Sequence, residues 1–215
     1  MPNTITQNLT RLINAKEAIG EAISNQGVTV EEEDGLENFP ALIAAIGNKE
    51  DTATLDALIN RSITEINNDR VTTVGAGAFA TCPSLTTVNL PSVTNIEINA
   101  FVTCPYLTTI NLPVVTKIGL ATFGGCARLT TADFPLLERI SSSAFFRCGM
   151  LTTLVLRRNT VATLEHTDAF TNTPIASGTG YIYVPDDQVD NYKIATNWVT
   201  YANQIKGISE LEEAE

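Results

Sequence analysis

A 22-residue period constrains the fold of this chain more than any other feature. Phenylalanine, cysteine and leucine each recur at that spacing, in the columns Phe79/Phe101/Phe123/Phe145, Cys82/Cys104/Cys126/Cys148 and Leu85/Leu107/Leu129/Leu151. Such a period is typical of a solenoid, in which each repeat stacks on the next and the stack buries one continuous core. The period predicts repeats at 63–84, 85–106, 107–128, 129–150 and 151 to about 175.

The pattern within one repeat predicts a strand with one buried and one exposed face. In residues 85–106, the apolar Leu85, Val88 and Leu90 alternate with Thr87 and Asn89, as in a leucine-rich repeat strand. The phenylalanines are expected to stack as an aromatic spine.

The fifth repeat is irregular. Phe170 lies 25 residues after Phe145, which indicates three inserted residues near 158–163. The apolar run at 181–184 is expected to add a sixth and last strand of the leucine-rich kind.

The cysteine column is interpreted as a ladder of buried thiols. Equivalent residues of stacked repeats lie about 4.8 Å apart, within the range of Cα separations that a disulfide tolerates, so spacing alone leaves bridges between neighbours open. Side chains that run in parallel into a core favour packing as small hydrophobes. One histidine in the whole chain does not fit a zinc site, and we expect neither metal nor cofactor.

The front of the chain differs from the repeats. Residues 1–50 are predicted to form a helix, a short strand and a second helix, which is too little chain to bury its own apolar face. We therefore expect this module to attach the protein to a partner or to assemble it as a dimer or trimer. Residues 51–62 are interpreted as a linker and cap, and residues 63–185 as the repeats.

Residues 186–215 are predicted to form a C-terminal helical cap that covers the last strand, as the end of a solenoid requires. Asp186 or Asp187 is expected to cap its first helix. The acidic tail from Ser209 onward is expected to fray.

The distribution of charged and apolar residues along the chain disfavours two classes of binding partner, nucleic acids and membranes. Residues 1–62 carry 4 basic and 10 acidic groups, residues 63–185 carry 7 and 7, and residues 186–215 carry 2 and 7. A neutral array between acidic flanks disfavours nucleic acid, which requires a basic face. No apolar run approaches the roughly 18 residues that span a membrane, and the first residues do not resemble a secretory signal peptide.

No catalytic constellation is evident, so we expect a protein without enzymatic activity. His166 lies in the irregular fifth repeat beside Glu165 and Asp168, and it is interpreted as an exposed loop histidine. Neither a nucleophile motif nor a phosphate-binding loop occurs in the sequence.

Comparison between repeats suggests where binding could occur, because constant positions serve stacking while variable exposed positions are free for recognition. Two variable columns flank or lie on the strands, Ser84/Tyr106/Arg128/Met150 and Asn89/Asn111/Asp133/Val155, next to the invariant column Thr87/Thr109/Thr131/Thr153. Tyrosine, arginine and methionine are favoured in interfaces, whereas strand propensity and ordinary surface variation explain the same residues without a ligand.

Basic residues concentrate in the later repeats. They could orient a partner or a glycan carboxylate, or they could form surface ion pairs with Asp133, Glu138 and Glu165.

The motif AFxxCxxLTxxxLPxxxxI, present as Ala78-Phe79, Cys82, Leu85, Leu90-Pro91 and Ile96, resembles the BspA-type (Treponema-type) leucine-rich repeat of bacterial surface proteins. The ending from residue 181 to residue 208 resembles the C-terminal cap of such proteins. The resemblance implies a parallel solenoid used for adhesion or receptor binding, and it implies no catalytic residues.

The first helix followed by GVTV resembles a module of structural proteins from phages and prophages of gut bacteria. We therefore expect a phage-tail or receptor-binding protein, on the virion or another extracellular surface, that presents the solenoid to a surface protein or glycan. The alternative is a BspA-like adhesin on the bacterial cell surface.

Overall fold

The computed structural model describes residues 63–213. The module predicted for residues 1–50 and the linker at 51–62 lie outside the described residues. Within the described range, short parallel strands stack repeat upon repeat, as the 22-residue period predicts.

The strands form two rows. The first row contains β1 (Glu65–Asn67), β3 (Thr87–Asn89), β5 (Thr109–Asn111), β7 (Thr131–Phe134), β9 (Thr153–Leu156), β11 (Tyr181–Val184) and β12 (Ile205–Gly207). The second row contains β2 (Thr73–Val74), β4 (Asn95–Ile96), β6 (Lys117–Ile118), β8 (Arg139–Ile140) and β10 (Thr163–Leu164). The first row is made of two sheets, β1-β3-β5 and β7-β9-β11-β12, and the second row is one sheet of five strands.

Helical segments begin within the fifth repeat and continue through the C-terminal part of the described residues. They are a 3₁₀ helix at Thr167–Phe170, α1 at Pro174–Ser177, a 3₁₀ helix at Asp186–Gln188, α2 at Val189–Ile194, a 3₁₀ helix at Trp198–Gln204 and α3 at Ile208–Glu212.

The predicted alternation along the first-row strands is confirmed. In β3 and its approach, Leu85, Val88 and Leu90 are buried, while Thr87 and Asn89 lie on the opposite face and are half-buried. A strand whose side chains alternate in this way can bury one face and display the other.

The two sheets of the first row meet between β5 and β7, where the fourth repeat exchanges large and small side chains. Ala132 stands where the second repeat has Val88, and Phe134 stands where it has Leu90. The Phe134 ring lies 6.5 Å from the Phe123 ring at an oblique angle. A small and a large residue at adjacent inward positions keep the core volume nearly constant, which cores tolerate better than a net change of volume.

The inserted residues of the fifth repeat are divided between two places. Thr163 pairs with Arg139, which is a spacing of 24 residues, so two residues are inserted before β10. Phe145 donates its backbone N–H to the carbonyl of Ala169, which is 24 residues later, whereas the equivalent hydrogen bonds of earlier repeats span 21 residues. The third residue is therefore inserted after β10. The expectation that all three lie near 158–163 is therefore wrong for one of them.

The turn segments that close each repeat are also hydrogen-bonded from repeat to repeat. The backbone N–H of Phe101, for example, donates to the carbonyl of Thr122 at 2.9 Å. Two positions per repeat take a left-handed backbone conformation, in the columns Gly77/Asn99/Ala121/Ser143 and Thr81/Thr103/Gly125/Arg147/Asn172. Side chains other than glycine are strained there, and the surrounding hydrogen bonds hold them in place.

The aromatic spine is confirmed. The rings of Phe79, Phe101, Phe123, Phe145 and Phe170 stack in sequence with centroids 5.3, 5.6, 5.5 and 5.6 Å apart. The four later rings are fully buried and Phe79 is half-buried.

The C-terminal segment meets the last strand of the second row through side chains. The indole N–H of Trp198 donates to the carbonyl of Ala162 at 2.6 Å, and the amide of Asn197 donates to the carbonyl of Leu164 at 2.7 Å. In the preceding repeat, which contains β8, the carbonyls at the two equivalent positions accept backbone N–H groups from the repeat that contains β10. Two side chains thus take the place of a further strand, while Trp198 and Tyr201 lie against the last ring of the spine.

Three details of this segment differ from the expectations. β12 pairs in parallel with β11, so the strand at 181–184 is not the last. α2 has Gln188 at its N-cap, and Asp186 instead accepts hydrogen bonds from the backbone and hydroxyl of Ser209. The tail is helical at α3 rather than frayed, because that interaction and the packing of α3 on β11 and β12 hold it.

Replacing one ring in the middle of the spine should destabilise the array strongly. Phe123 is stacked on both sides and fully buried, so Phe123→Ala should lower the free energy of unfolding by about 3–5 kcal/mol. Phe79→Ala is the matched control, because that ring is half-buried, and it should cost less. Urea unfolding followed by circular dichroism measures both, and equal losses would contradict a spine whose middle is its most buried part.

Candidate functional site

The first candidate surface is the column Ser84, Tyr106, Arg128 and Met150, called here the Tyr106 row. Each member lies in a four-residue turn between a buried cysteine and a buried leucine, and the turn closes by a backbone hydrogen bond from leucine to cysteine of 3.0–3.3 Å. Because both anchors are buried, the residue between them is held on the surface. Tyr106 is 46% exposed and Met150 is 52% exposed.

The structure brings neighbouring members of the Tyr106 row into contact. The guanidinium carbon of Arg128 lies 4.2 Å from the centre of the Tyr106 ring, a cation–π arrangement. Two members of the row, Tyr106 and Arg128, are therefore in contact across neighbouring repeats.

The second candidate surface is the outward face of the first-row strands. The amide of Asn89 donates to Asn67 at 2.7 Å, and the amide of Asn111 donates to Asn89 at 2.6 Å. Asp133, the next member, binds Arg157 through two nitrogens. These side chains are occupied with one another rather than free.

The threonine column lies beside this amide ladder. Thr109 and Thr131 are exposed, while Thr87 and Thr153 are half-buried. The hydroxyl of Thr87 lies 3.5 Å from that of Thr86, whose own hydroxyl donates to the Thr64 carbonyl in the preceding repeat. The column therefore lies on the outward face of the strands, and the hydrogen bond between repeats is made by the neighbouring Thr86.

The far end of this face is covered, which the sequence did not reveal. Val155 was expected to be exposed, but it is only 2% exposed and lies beside Tyr183 of β11, itself buried. α3 packs on β11 and β12 at this end. Val155 therefore lies beside elements from far along the chain, β11 next to it and α3 packed on β11 and β12, which the repeat pattern does not predict.

The later arginines divide into two groups. Arg139 pairs with Glu165, Arg157 with Asp133 and Arg158 with Glu138, so the surface ion pairs that the sequence suggested are confirmed for these three. Arg128 and Arg147 form no ion pair within residues 63–213. Arg147 instead lies 5.0 Å from the centre of the Phe146 ring. Arg147 was not among the residues predicted for a binding surface. The signal for it in the sequence is that its own turn, residues 142–150, contains no acidic residue that could pair with it.

The family of the chain is decided by its repeats. The model of the BspA type leucine-rich repeat region matches residues 56–176 with six copies, which is more than half of the chain. The chain belongs to the BspA-type leucine-rich repeat family. No match is found among curated proteins.

Two solved structures of leucine-rich repeat proteins are similar to this BspA-type chain. A leucine-rich repeat protein from Bacteroides ovatus ATCC 8483 is 22% identical with a TM-score of 0.50, and the match covers 66% of this chain and 35% of that one. A leucine-rich cell surface protein from Faecalibacterium prausnitzii A2-165 is 27% identical with a TM-score of 0.47, covering 56% and 30%. The BspA-type chain thus matches about a third of the length of each, and the Bacteroides structure supports the fold.

The irregular fifth BspA-type repeat holds an ordered carboxylate. Asp168 accepts hydrogen bonds from the hydroxyls of Ser142 and Ser143 and from the backbone of Ser143, at 2.8–3.0 Å. Partial burial raises the pKa of Asp168, but these hydrogen bonds and one with His166 outweigh it and hold the pKa below its usual value. His166 is exposed, as predicted, and its Nδ1 lies 3.0 Å from Asp168 Oδ1. The cluster ties the loop of the fifth repeat to the turn of the fourth.

A groove of about 370 Å³ lies between β10 and the segment 195–198. Its one carboxylate, Glu165, is paired with Arg139. Within residues 63–213 no three potential metal ligands come together, and no helix there is long and apolar enough to cross a membrane.

The cysteine column is a ladder of buried thiols, as predicted. The thiols of Cys104, Cys126 and Cys148 donate to the carbonyls of Phe79, Phe101 and Phe123, respectively, at 3.0–3.3 Å. Burial raises the pKa of Cys126 from 9.0 to about 12 and also raises the pKa of Cys148. A hydrogen bond with Cys82 is the main reason that the pKa of Cys104 is raised as well.

These thiols should make the array sensitive to alkali. The raised pKa of Cys126 contributes stability in full below pH 9, and that stability is lost as pH rises from 9 to about 12, because only the unfolded thiol ionises there. Each such thiol should lower the free energy of unfolding by about 1.4 kcal/mol per pH unit across this window. Urea unfolding at pH 8, 9 and 10 should show a smaller decline for Cys126→Ala than for the wild type.

A thiol reagent at pH 8 provides the independent check. Four thiols should react after denaturation and almost none before it. Rapid reaction of the native protein, or a disulfide between neighbouring cysteines found by mass spectrometry, would contradict the buried ladder.

Proposed function

We propose that this chain is a non-enzymatic recognition module that presents its repeat array to a protein or glycan on a cell surface. The observation that carries the proposal is the Tyr106 row, in which large, interface-type side chains are held exposed on adjacent repeats. Membership of the BspA-type family supports a binding scaffold.

The columns that stay constant between repeats support this assignment, because their side chains already contact the neighbouring repeat. A second constant threonine stands one position earlier in each repeat, and the hydroxyls of Thr86, Thr108 and Thr152 donate to the carbonyls of the threonines one repeat before them. The thiols are used in the same way between repeats. The amides of the asparagine ladder are also hydrogen-bonded between repeats, although their column varies. The Tyr106 row varies in chemistry from repeat to repeat and serves no equivalent stacking contact, apart from the Arg128–Tyr106 pair.

The hypothesis that this chain is a BspA-like adhesin of the cell surface has more support than the hypothesis that it is a phage-tail protein. The family match covers the repeats and is a match to bacterial BspA-type sequences. The phage-tail reading rests on a resemblance within residues 1–50, which lie outside the described residues. We therefore place the protein on a bacterial cell surface, with a virion as the alternative location.

We also propose that residues 1–50 attach the array to a partner or join copies of it as a dimer or trimer. Several copies would raise weak surface binding through avidity. Light scattering should find an oligomer for the full chain and a monomer for a chain that begins at Asp51. Two monomers would contradict the proposal.

Residues 186–215 are proposed to act as the cap of the array. Their support is that Trp198 and Asn197 occupy the carbonyls at which a further strand would pair, while Tyr201 covers Phe170. Deleting these residues should expose apolar surface and an open strand edge, with aggregation or a lower Tm as the result. A truncated chain that stays soluble, in the oligomeric state of the full chain and with an unchanged Tm, would show that no cap is needed.

The recognition function is tested with substitutions that the repeats themselves supply. Ser84 occupies the same position as Tyr106 and Met150, so the double variant Tyr106→Ser/Met150→Ser uses a residue that this turn accepts. The matched control is Leu136→Ser, since Leu136 is 45% exposed and Ser92 occupies its position in the second repeat. The full chain is screened by biolayer interferometry against extracellular proteins and a glycan array.

We expect a ligand whose affinity falls at least tenfold in the double variant and stays within twofold in the control, with Tm unchanged in both. An equal loss in the control would mean that the Tyr106 row is not the binding surface. Turnover of any ligand during the assay would overturn the non-enzymatic assignment.

A further inference from the structure

The edge of the array that carries the Tyr106 row presents two arginines in its turn stretches, although the protein has a net charge of −11. The four turn stretches 76–84, 98–106, 120–128 and 142–150 contain two arginines and neither aspartate nor glutamate. The carboxylates of Glu97 and Asp168 contact only the first residues of these stretches, at Ala76 and at Ser142 and Ser143. The arginines lie toward the other end of their stretches.

The two arginines, Arg128 and Arg147, are stacked rather than paired. Each guanidinium lies over an aromatic ring, at 4.2 Å from the Tyr106 centre and 5.0 Å from the Phe146 centre. Stacking uses the flat face of a guanidinium and leaves its edge of N–H donors for a bidentate carboxylate. Within residues 63–213, neither side chain has an ion pair, in contrast to Arg139, Arg157 and Arg158.

The repeat register places both arginines on one edge in neighbouring repeats. Arg147 occupies the position that Gly125 occupies one repeat earlier, and the backbone N–H of Gly125 donates to the carbonyl of Phe146 at 2.7 Å. Arg128 follows Gly125 by three residues. Neighbouring repeats are about 4.8 Å apart, and alternate residues of an extended peptide are about 7 Å apart. An extended peptide laid along the stack would therefore pass both arginines, with the side chains of its alternate residues on the same side.

Exposed apolar side chains flank the arginines along the same edge. Tyr106 lies in the repeat before Arg128, and Met150 lies three residues after Arg147. Tyrosine, methionine and arginine together are the residue types that protein interfaces concentrate. This composition favours a protein segment over an acidic glycan, because a glycan would leave the Met150 side chain with little apolar surface to contact.

We infer that Tyr106, Arg128, Arg147 and Met150 bind an extended acidic segment of a partner protein. Carboxylates of the segment accept hydrogen bonds from the two guanidinium edges, and its apolar side chains pack on Tyr106 and Met150. The inference rests on the proposed recognition function and specifies the ligand of the same edge.

The test uses the full chain and two fluorescein-labelled ten-residue peptides, one alternating Glu with Leu and one alternating Gln with Leu. Fluorescence anisotropy at 50 mM salt should show at least tenfold tighter binding of the Glu peptide, although the protein is itself acidic. Arg128→Gln/Arg147→Gln should weaken that binding at least tenfold. Arg139→Gln, which removes an arginine already paired with Glu165, is the matched control and should change it less than twofold.

Three results would overturn the inference. They are failure of the Glu peptide to bind, equal binding by the Arg128→Gln/Arg147→Gln variant, and binding of an oligogalacturonate without binding of the peptide. A screening ligand lost by Tyr106→Ser/Met150→Ser but retained by the arginine variant would sink the inference and leave the recognition function standing. A chain that binds no screening ligand and neither peptide would remove both.

Discussion

Backbone hydrogen bonding between equivalent residues of neighbouring repeats is the interaction on which the rest of this structure depends. It occurs on both rows of strands and along the turn segments, as the bonds from Thr86 to Thr64, from Glu97 to Val74 and from Phe101 to Thr122 illustrate. Since each repeat is tied to the next on all of these sides, any side chain repeated at the 22-residue spacing meets its own copy one strand spacing away. The stacked rings, the amide ladder and the hydrogen bonds of the thiols all follow from that register. So does the tolerance of left-handed backbone at Thr103 and Arg147, where an isolated turn would favour glycine.

The same register separates positions that build the array from positions that can serve recognition. A constant side chain such as Cys126 or Thr108 is hydrogen-bonded to the neighbouring repeat and offers little to a ligand. A position held at the surface by buried neighbours on both sides can change freely, and the Tyr106 row occupies such a position. The far end of the strand face offers less surface than the strand count suggests, because α3 covers β11 and β12.

Arginine has two different roles in this array, one in ion pairs and one in stacking on aromatic rings. Arg139, Arg157 and Arg158 reach carboxylates that lie 20 to 26 residues away in sequence, on adjacent repeats. Exposed pairs of this kind contribute little to stability, but they neutralise the strand faces. Arg128 and Arg147 lie where the turn stretches supply aromatic rings and no acid, so their donors stay available. On a strongly acidic protein, these two guanidinium groups would give an acidic partner a local attraction.

The sequence by itself determined the repeat length, the inward and outward residues of the regular strands, the aromatic spine and the buried thiols. It could do so because each repeat of a solenoid contacts only its neighbours. A residue that recurs every 22 positions therefore contacts its own copy in the next repeat. Only the tertiary structure decided where the period breaks. The split insertion around β10, the burial of Val155, the strand β12 and the replacement of a further strand by Trp198 and Asn197 depend on residues that have no copy at the repeat spacing. The pairing of Arg147 with Phe146 belongs to the same group, since it depends on side-chain direction at a left-handed residue, which periodicity does not encode.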